Sequence, residues 1–510
     1  MRNAFSFENL IVYDLANNHQ GDPEHASRVI REIGKVNAAA GTRGALKFQF
    51  RQLDTFIHPD FQNRTDHKYV KRFSETRLSM EQFGNLVPLV KKSGLLTMST
   101  PFDEESVDVI CDMGLDIIKI ASCSADDRPL IEKVARVNKP VVISTAGLRI
   151  DDIDWLVNFM EGARVNFSLM HCVALYPTPD DKLQLDQIRQ LKERYRRIEI
   201  GWSTHESPDN LSAVQVAYAL GARMFERHVG LNTVKYKLNA YSSAPEQIEP
   251  WLGAFNKARA MIGSGERAPA PREESQTLAE LKRGVFGRRD IKQGDALQSA
   301  DVFFAMPYNK GAMTSGGFRP GMIADRDYAA NEGLSAAMVP RGMSDDQIVY
   351  QIMLQVRGLL NTAGIFINEA ATIEISHHYG LHRFREFGAV LITCINREYA
   401  KKLVIQLPRQ KHPYHFHKRK EETFQLLAGD VEIVKEGHRF ALEPGDSLLV
   451  ESGEWHKFHT LEGCVFEEIS STSYPDDSFY EDPMISDMAL DQRKTKVDHW
   501  LAYFRDRHTI

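Results

Sequence analysis

Side chains able to do chemistry recur at the ends of short apolar runs in the first 230 residues. The runs are LIVYDLANNH, GALKFQF, LLTMSTPF, DIIKIAS, PVVISTAG, VNFSLMHC, IEIGWSTH and ARMFERH. Their ends supply Asp14, His19, Lys47, Gln49, Thr100, Lys119, Ser122, Ser203, His205 and His228. A lysine turned into a protein interior is costly to desolvate without an anion. Beside the hydroxyls of Thr100, Ser122 and Ser203, Lys47 and Lys119 point to a bound phosphate or carboxylate. A structural ion pair with a barrel acid is the alternative. His205 and His228 could share a divalent metal through neutral imidazoles, or act as hydrogen-bonded acid/base groups. A Schiff-base aldolase would need a desolvated lysine in an apolar pocket. The hydroxyls and Gln49 favour anion binding instead.

A second constellation lies far along the chain, in HPYHFHKRKEETFQLLAG (412–429) and PGDSLLVESGEWHKF (444–458). His415 and His417 fall on one face of a strand by its period of two. With Glu422 and His456 they make a first-row metal site with open positions. Lys418 and Lys420 could bind sugar oxygens or phosphate, or be solvated strand-edge charges. Trp455 could stack on a sugar face or serve as a core residue. His377, His378 and His412 could line the pocket or pair with surface acids.

Elements must hold these groups. The eight runs alternate with amphipathic stretches such as HASRVIREIGKVNAAAG and LSAVQVAYALGA. Eight strand-then-helix units predict an α/β fold, a closed parallel (β/α)8 TIM barrel over 1–265, with reacting groups at the carboxyl ends of its strands. GSGERAPAPREESQ (263–276) reads as a linker. A compact segment, 277–343, follows; it is too small to hold much core. From 344, one helical stretch, SDDQIVYQIMLQVRGLLNTA, precedes short strands punctuated by Gly, Pro and Asp. That pattern predicts an all-β double-sheet barrel over 344–510.

The bulk numbers narrow the function. A chain of 510 residues with 43% hydrophobic and 26% charged residues has ordinary globular composition. Its net charge of -6 calls for neither nucleic acid nor an anionic membrane. Five scattered cysteines give no disulfide framework and fit a reducing cytoplasm. No apolar run approaches the roughly 18 residues of a membrane span.

NNHQGD (17–22), KFQ (47–49), STPF (99–102), KIAS (119–122), IST (143–145), MHCVALYPTP (170–179), GWSTH (201–205) and FERH (225–228) together resemble the sialic acid (N-acetylneuraminate) synthase family in order and spacing. RRDIKQGDAL resembles that family's small antifreeze-like (SAF) domain. The resemblance implies condensation of phosphoenolpyruvate with an open-chain aldose or N-acylamino sugar, giving a 2-keto-3-deoxy (nonulosonic) acid and phosphate. It implies that Lys47, Gln49, Thr100, Lys119, Ser122 and Ser203 hold phosphoenolpyruvate. His205 and His228 would bind manganese or magnesium, and Asp14 would handle the attacking water. Tyr176, Asn239 and Tyr241 fall on the sugar side, and the antifreeze-like module implies a homodimer. The chain departs from the family at Ser124, Ala174, Asn239 and Met306, with Lys310 a substitute for the arginine expected near Met306. A different acceptor sugar follows from those departures.

The histidine-rich segment resembles the cupin superfamily, a double-stranded β-helix, with Glu451 in place of a usual proline. ISHHYGLHRFREFGAVLITCINREYAKKLVIQLP looks most like D-lyxose-isomerase-type cupins. The resemblance implies a divalent metal (manganese, iron, zinc or nickel) on His415, His417, Glu422 and His456, and a sugar bound or isomerised there. Two alternatives stand beside the synthase: a cupin sugar isomerase with a ligand-binding barrel, and a non-catalytic sugar sensor.

Overall fold

The computed structural model describes residues 5–498 except 63, 65, 265–266, 309–310, 339–343 and 369–370. Lys310 lies outside the described residues. The chain divides into two compact units, Met1–Ala268 and Pro269–Ile510.

In the first unit all eight apolar runs are strands: β1 (Leu10–Asp14), β2 (Arg43–Phe50), β3 (Leu96–Pro101), β4 (Ile117–Ile120), β5 (Val141–Ser144), β6 (Phe167–Cys172), β7 (Ile200–Thr204) and β8 (Met224–His228). They pair in parallel in chain order, and β8 closes on β1. Helices follow the strands, as the amphipathic stretches predict. Pro23–Ala39 starts where Asp22 accepts the N–H groups of Glu24 and His25, satisfying two of the donors that a helix start leaves orphaned.

Strand alternation divides the core in two. Ile11, Tyr13, Leu46, Phe48, Ile118 and Ile143 face the helices. Leu10, Val12, Ala45, Met98, Ile117, Val142, Met170 and Met224 fill the barrel interior. Fully burying such a side chain contributes roughly 1.5–3 kcal/mol. Gly201 makes room for the bulky members: a Cβ there would lie 2.7 Å from the Met224 carbonyl and 3.1 Å from the Met170 methyl. This apolar plug forms the floor of the site. Two residues further along each strand, on the same face, come Asp14, Lys47, Thr100, Lys119, Ser144, Cys172, Ser203 and Glu226.

In the second unit, the back of the expected linker is a helix, Arg272–Leu281, none of whose residues is buried. Pro271 before it and Glu273 and Glu274 in its first turn are helix-start signals, which outweigh the loop-like composition. Residues 285–338 hold a small core after all, including Val285, Ile291, Leu297, Val302, Phe318 and Leu334. Its antiparallel strands are Gly284–Gly287 and Val302–Ala305.

The helix Asp345–Thr362 begins with a capping box between Ser344 and Gln347. Its Ile348, Ile352 and Val356 pack on Ile373, Ile375, Ile392 and Leu403 of a seven-stranded sheet. A five-stranded sheet joins strands His438–Leu442, Val431–Lys435, His456–His459, His415–Phe416 and Phe479–Tyr480. Phe424, Leu426 and Phe466 of the first sheet cluster with Val431, Ile433 and Phe458 of the second. This is the expected double-sheet cupin architecture.

Candidate active site and candidate metal centre

Closing the barrel brings distant inward side chains together. Register sets Asp14 beside both Lys47 and His228, and Ser203 beside Glu226. Lys47 Nζ lies 3.1 Å from Asp14 Oδ2 and 3.0 Å from Glu226 Oε1. Lys119 Nζ lies 3.2 Å from Glu226 Oε2 and donates to Ser144 Oγ at 2.6 Å. Ser203 donates to Glu226 at 2.9 Å, and Gln49 donates to Asp14 Oδ2 at 3.3 Å.

Two lysines thus share two carboxylates on the floor of a cavity of about 1000 Å³. Burial drives Glu226 toward its neutral form, but Lys119 and Lys47 outweigh it, so the carboxyl sits well below its usual range. Burial also pushes Lys47 down, yet Asp14 and Glu226 leave it raised. For Lys119 burial wins and its pKa falls. The network therefore holds one firmly charged lysine and one that gives up its proton more readily.

On one side of the cavity, His205 and His228 stand with ring centroids 5.2 Å apart. His205 Nδ1 lies 2.9 Å from the Val173 carbonyl. A carbonyl only accepts, so Nδ1 carries the proton and Nε2 keeps its lone pair. Burial, then His228, lowers His205 to about 3; burial lowers His228 as well. Both imidazoles are neutral at ordinary pH, the form that ligates a metal. His228 Nε2 lies 3.4 Å from Asp14 Oδ2. Tyr176 packs on His205 at 4.3 Å and Tyr241 on His228 at 5.3 Å.

Thr100 and Ser122 also line the cavity, and Thr100 Oγ1 is buried without a partner. Ser122 Oγ accepts the Ala146 N–H at 3.0 Å. Asn239 lines the cavity too, but its Oδ1 accepts the Tyr241 and Ser242 N–H groups and shapes their turn. Ala174 is at the wall, and Ser124 is buried. Met306 is exposed in the second unit. His19 departs from its strand-end reading. It is buried, packs edge-on against Phe83 at 5.7 Å and accepts the Gly21 N–H, so it serves the core and not the cavity.

Glu226 is the residue that strand-end reading passes over. It sits two positions before His228, on the same face, and the motif FERH contains it. The ion-pair alternative for the lysines is present in this structure, through Asp14 and Glu226.

In the second unit, His415, His417, Glu422 and His456 bring one ligand atom each to within 4.8 Å of one another, and all are buried. His456 Nε2 is 2.8 Å and His417 Nε2 is 3.6 Å from Glu422 Oε1. Each histidine places Nδ1 on a backbone carbonyl: Pro413 for His415, Asp477 for His417 and Glu454 for His456. All three Nε2 lone pairs are thereby freed. Burial keeps the His415 and His417 rings neutral, His417 falling to about 4. This donor set fits a first-row divalent ion.

The metal-centre cavity, about 560 Å³, is lined with hydroxyl, amide and charged groups. Lys420 is buried in it, paired with Glu422 and, at 2.8 Å, with Glu468, so it is no strand-edge charge. Lys418 is exposed, its Nζ 4.2 Å from the centre of the Phe479 ring. His412 lines the cavity. Trp455 packs on Phe416 and Tyr414. His378 packs on His412, and His377 contacts Thr495.

A closed parallel barrel with lysines, carboxylates and hydroxyls at its strand ends, followed by a cupin that gathers three histidines and a glutamate, defines the class of protein. Residues 35–267 match the NeuB family and residues 402–466 the cupin domain. A crystal structure described as spore coat polysaccharide biosynthesis protein E from Chromobacterium violaceum is 46% identical, covering 65% of this chain and 99% of that one, with a TM-score of 0.64. An uncharacterized protein of Methanocaldococcus jannaschii is 32% identical over 58% of this chain and 84% of its own length. The N,N'-diacetyllegionaminic acid synthase of Campylobacter jejuni is 27% identical over 63% of this chain and 98% of its own. The chain belongs to the NeuB family.

Proposed function

We propose that the barrel condenses phosphoenolpyruvate with the open-chain aldehyde of a sugar, giving a 2-keto-3-deoxy nonulosonic acid and phosphate. The observation carrying this reading is the buried Lys47–Glu226–Lys119 network beside the neutral His205–His228 pair. Relatives named N,N'-diacetyllegionaminic acid synthase and pseudaminic acid synthase support it.

In this reading Lys47, Gln49, Thr100, Lys119, Ser122 and Ser203 bind phosphoenolpyruvate. Its oxygens supply the acceptor that Thr100 Oγ1 lacks, and its charge competes with Glu226 for the lysines. Tyr176, Asn239 and Tyr241 border the sugar. Carbon 3 of the enol attacks the aldehyde carbon while water adds at carbon 2. The new carbon–carbon bond forms and the carbon–oxygen bond to phosphate breaks. Asp14 takes one proton from the water, and that proton ends on the former aldehyde oxygen; the second water proton leaves with the phosphate as the carbon 2 hydroxyl becomes the ketone. Lys47 and His228, on either side of it, hold its carboxylate. A divalent ion on His205 and His228 would supply Lewis-acid polarisation of the aldehyde.

For the second unit, the reading is a cupin in which His415, His417, Glu422 and His456 hold a divalent metal in a cavity of mixed polar and apolar lining, large enough for a sugar. Domain limits of 1–265, 277–343 and 344–510 and a homodimer complete the proposal. The test is phosphate release from phosphoenolpyruvate with manganese and a panel of aldoses and N-acylhexosamines. Release dependent on a particular sugar supports the synthase; no release from folded, metal-loaded protein overturns it.

A further inference from the structure

Arg51 lies just beyond β2, one turn of alternation past Gln49. Its guanidinium stacks between two rings, 3.6 Å from the centre of Phe102 and 4.1 Å from that of Phe73. Nη2 donates to Gln49 Oε1 at 3.0 Å, while Nε is buried with no partner. Burial lowers its pKa to about 10. The aromatic sandwich fixes the plane of the fork and leaves its donors for a planar or tetrahedral anion.

The surrounding charge is uneven. Among the described residues, Lys47, Arg51, Lys68, Arg72 and Lys119 line the cavity, against only Asp14 and Glu226. Both of those carboxylates already hold the two floor lysines. Asp103, the other acid acting on Arg51, turns its oxygens to the Gln52 and Ser106 N–H groups. Arg51, Lys68 and Arg72 therefore form a cationic rim without a lining carboxylate. The half-buried Arg51 guanidinium feels Asp14 and Asp103 only at a distance, with no ion pair of its own among the described residues, so its desolvation is incompletely offset.

The rim is also on the sugar side. Arg72, on the helix Lys68–Glu75, lines the same cavity as Tyr241, and the Tyr241 ring packs on His228. We propose that Arg51 and Arg72, with Lys68, form an anion subsite for a charged substituent of the acceptor sugar, a phosphate or a carboxylate set apart from the reacting aldehyde. This rests on the synthase reading of the same cavity. The substrate class is then an anionic aldose, and the rim selects it against neutral sugars of the same skeleton.

The experiment compares phosphate release by the full-length, manganese-loaded protein with N-acetylmannosamine, its 6-phosphate and the corresponding 6-carboxylate. One anionic sugar is expected to exceed the neutral sugar at least tenfold in kcat/KM, and the arm that wins identifies phosphate or carboxylate. Arg51→Gln and, on the more exposed helix, Arg72→Gln are each expected to raise KM for that sugar at least tenfold more than KM for phosphoenolpyruvate. Equal use of neutral and anionic sugars overturns the subsite and leaves the synthase standing. A rise confined to the phosphoenolpyruvate KM also overturns it, assigning Arg51 to the other substrate. If no sugar supports release, the synthase reading falls, and calorimetry with inorganic phosphate decides the subsite alone. One equivalent bound by the parent chain and weakened tenfold or more by Arg72→Gln upholds an anion site; unchanged binding, or none, overturns it.

Discussion

Lys47 Nζ and Glu226 Oε1 meet at 3.0 Å in the barrel interior, both nearly without solvent exposure. One residue comes from β2 and the other from β8, and neither strand pairs with the other. Their meeting depends on barrel closure. Glu226 supplies the counter-charge that offsets the burial of both Lys47 and Lys119.

Breaking this pair should be expensive. Glu226→Gln keeps the shape and removes the charge, leaving Lys119 without a carboxylate. Loss of one partner of a buried ion pair costs about 3–5 kcal/mol. Urea unfolding should show a loss of that order; a change under 1 kcal/mol would mean that solvent already reaches the pair.

Removal of divalent metal tests the histidine pair. Chelation is expected to lower sugar-dependent phosphate release at least a hundredfold, with recovery on adding manganese, and His205→Ala should not recover. Full activity in the chelated protein would exclude a metal role for His205 and His228.

Metal at the cupin should show as stability. A ligand that binds only the folded state at 100 times its Kd adds about 2.7 kcal/mol. Titrating metal-free protein with manganese or zinc should raise the unfolding temperature of the cupin transition. Glu422→Gln should abolish that rise and lower the metal content measured by mass spectrometry. An identical rise in the variant would contradict the proposed ligand set.

His19 makes a prediction with a definite sign. Burial lowers its pKa from 6.5 to about 4. Between those values the unfolded chain binds the proton and the folded chain does not, so this stability is complete above 6.5 and is lost as pH falls toward 4. Stability measured against pH should carry this slope, at most about 1.4 kcal/mol per pH unit for one proton. His19→Gln should make the curve shallower by that amount, and an unchanged slope would show that His19 is not the group responsible.

The sequence by itself determined the eight-strand barrel, the double-sheet cupin and most of the side chains on the barrel floor. The reason is period: apolar residues at one inward position place the next inward position, two residues on, at the mouth. Lys47, Thr100, Lys119 and Ser203 follow from Ala45, Met98, Ile117 and Gly201 by this rule. The same rule gives Glu226 from Met224, although the last residue of a run draws attention instead. His415, His417, Glu422 and His456 were legible because both motifs carry their own spacing.

Tertiary structure alone decided which charges meet. His19 ends an apolar run yet faces Phe83, because the chain turns after Asp14 and no strand continues its alternation. Lys420 looks like an edge charge locally but is buried against Glu468, which arrives from a strand 48 residues further on. Arg51 and Arg72 stand outside any strand, so no period marks them. Electrostatic partnership depends on distance through space, and only the closed barrel and the paired sheets set those distances.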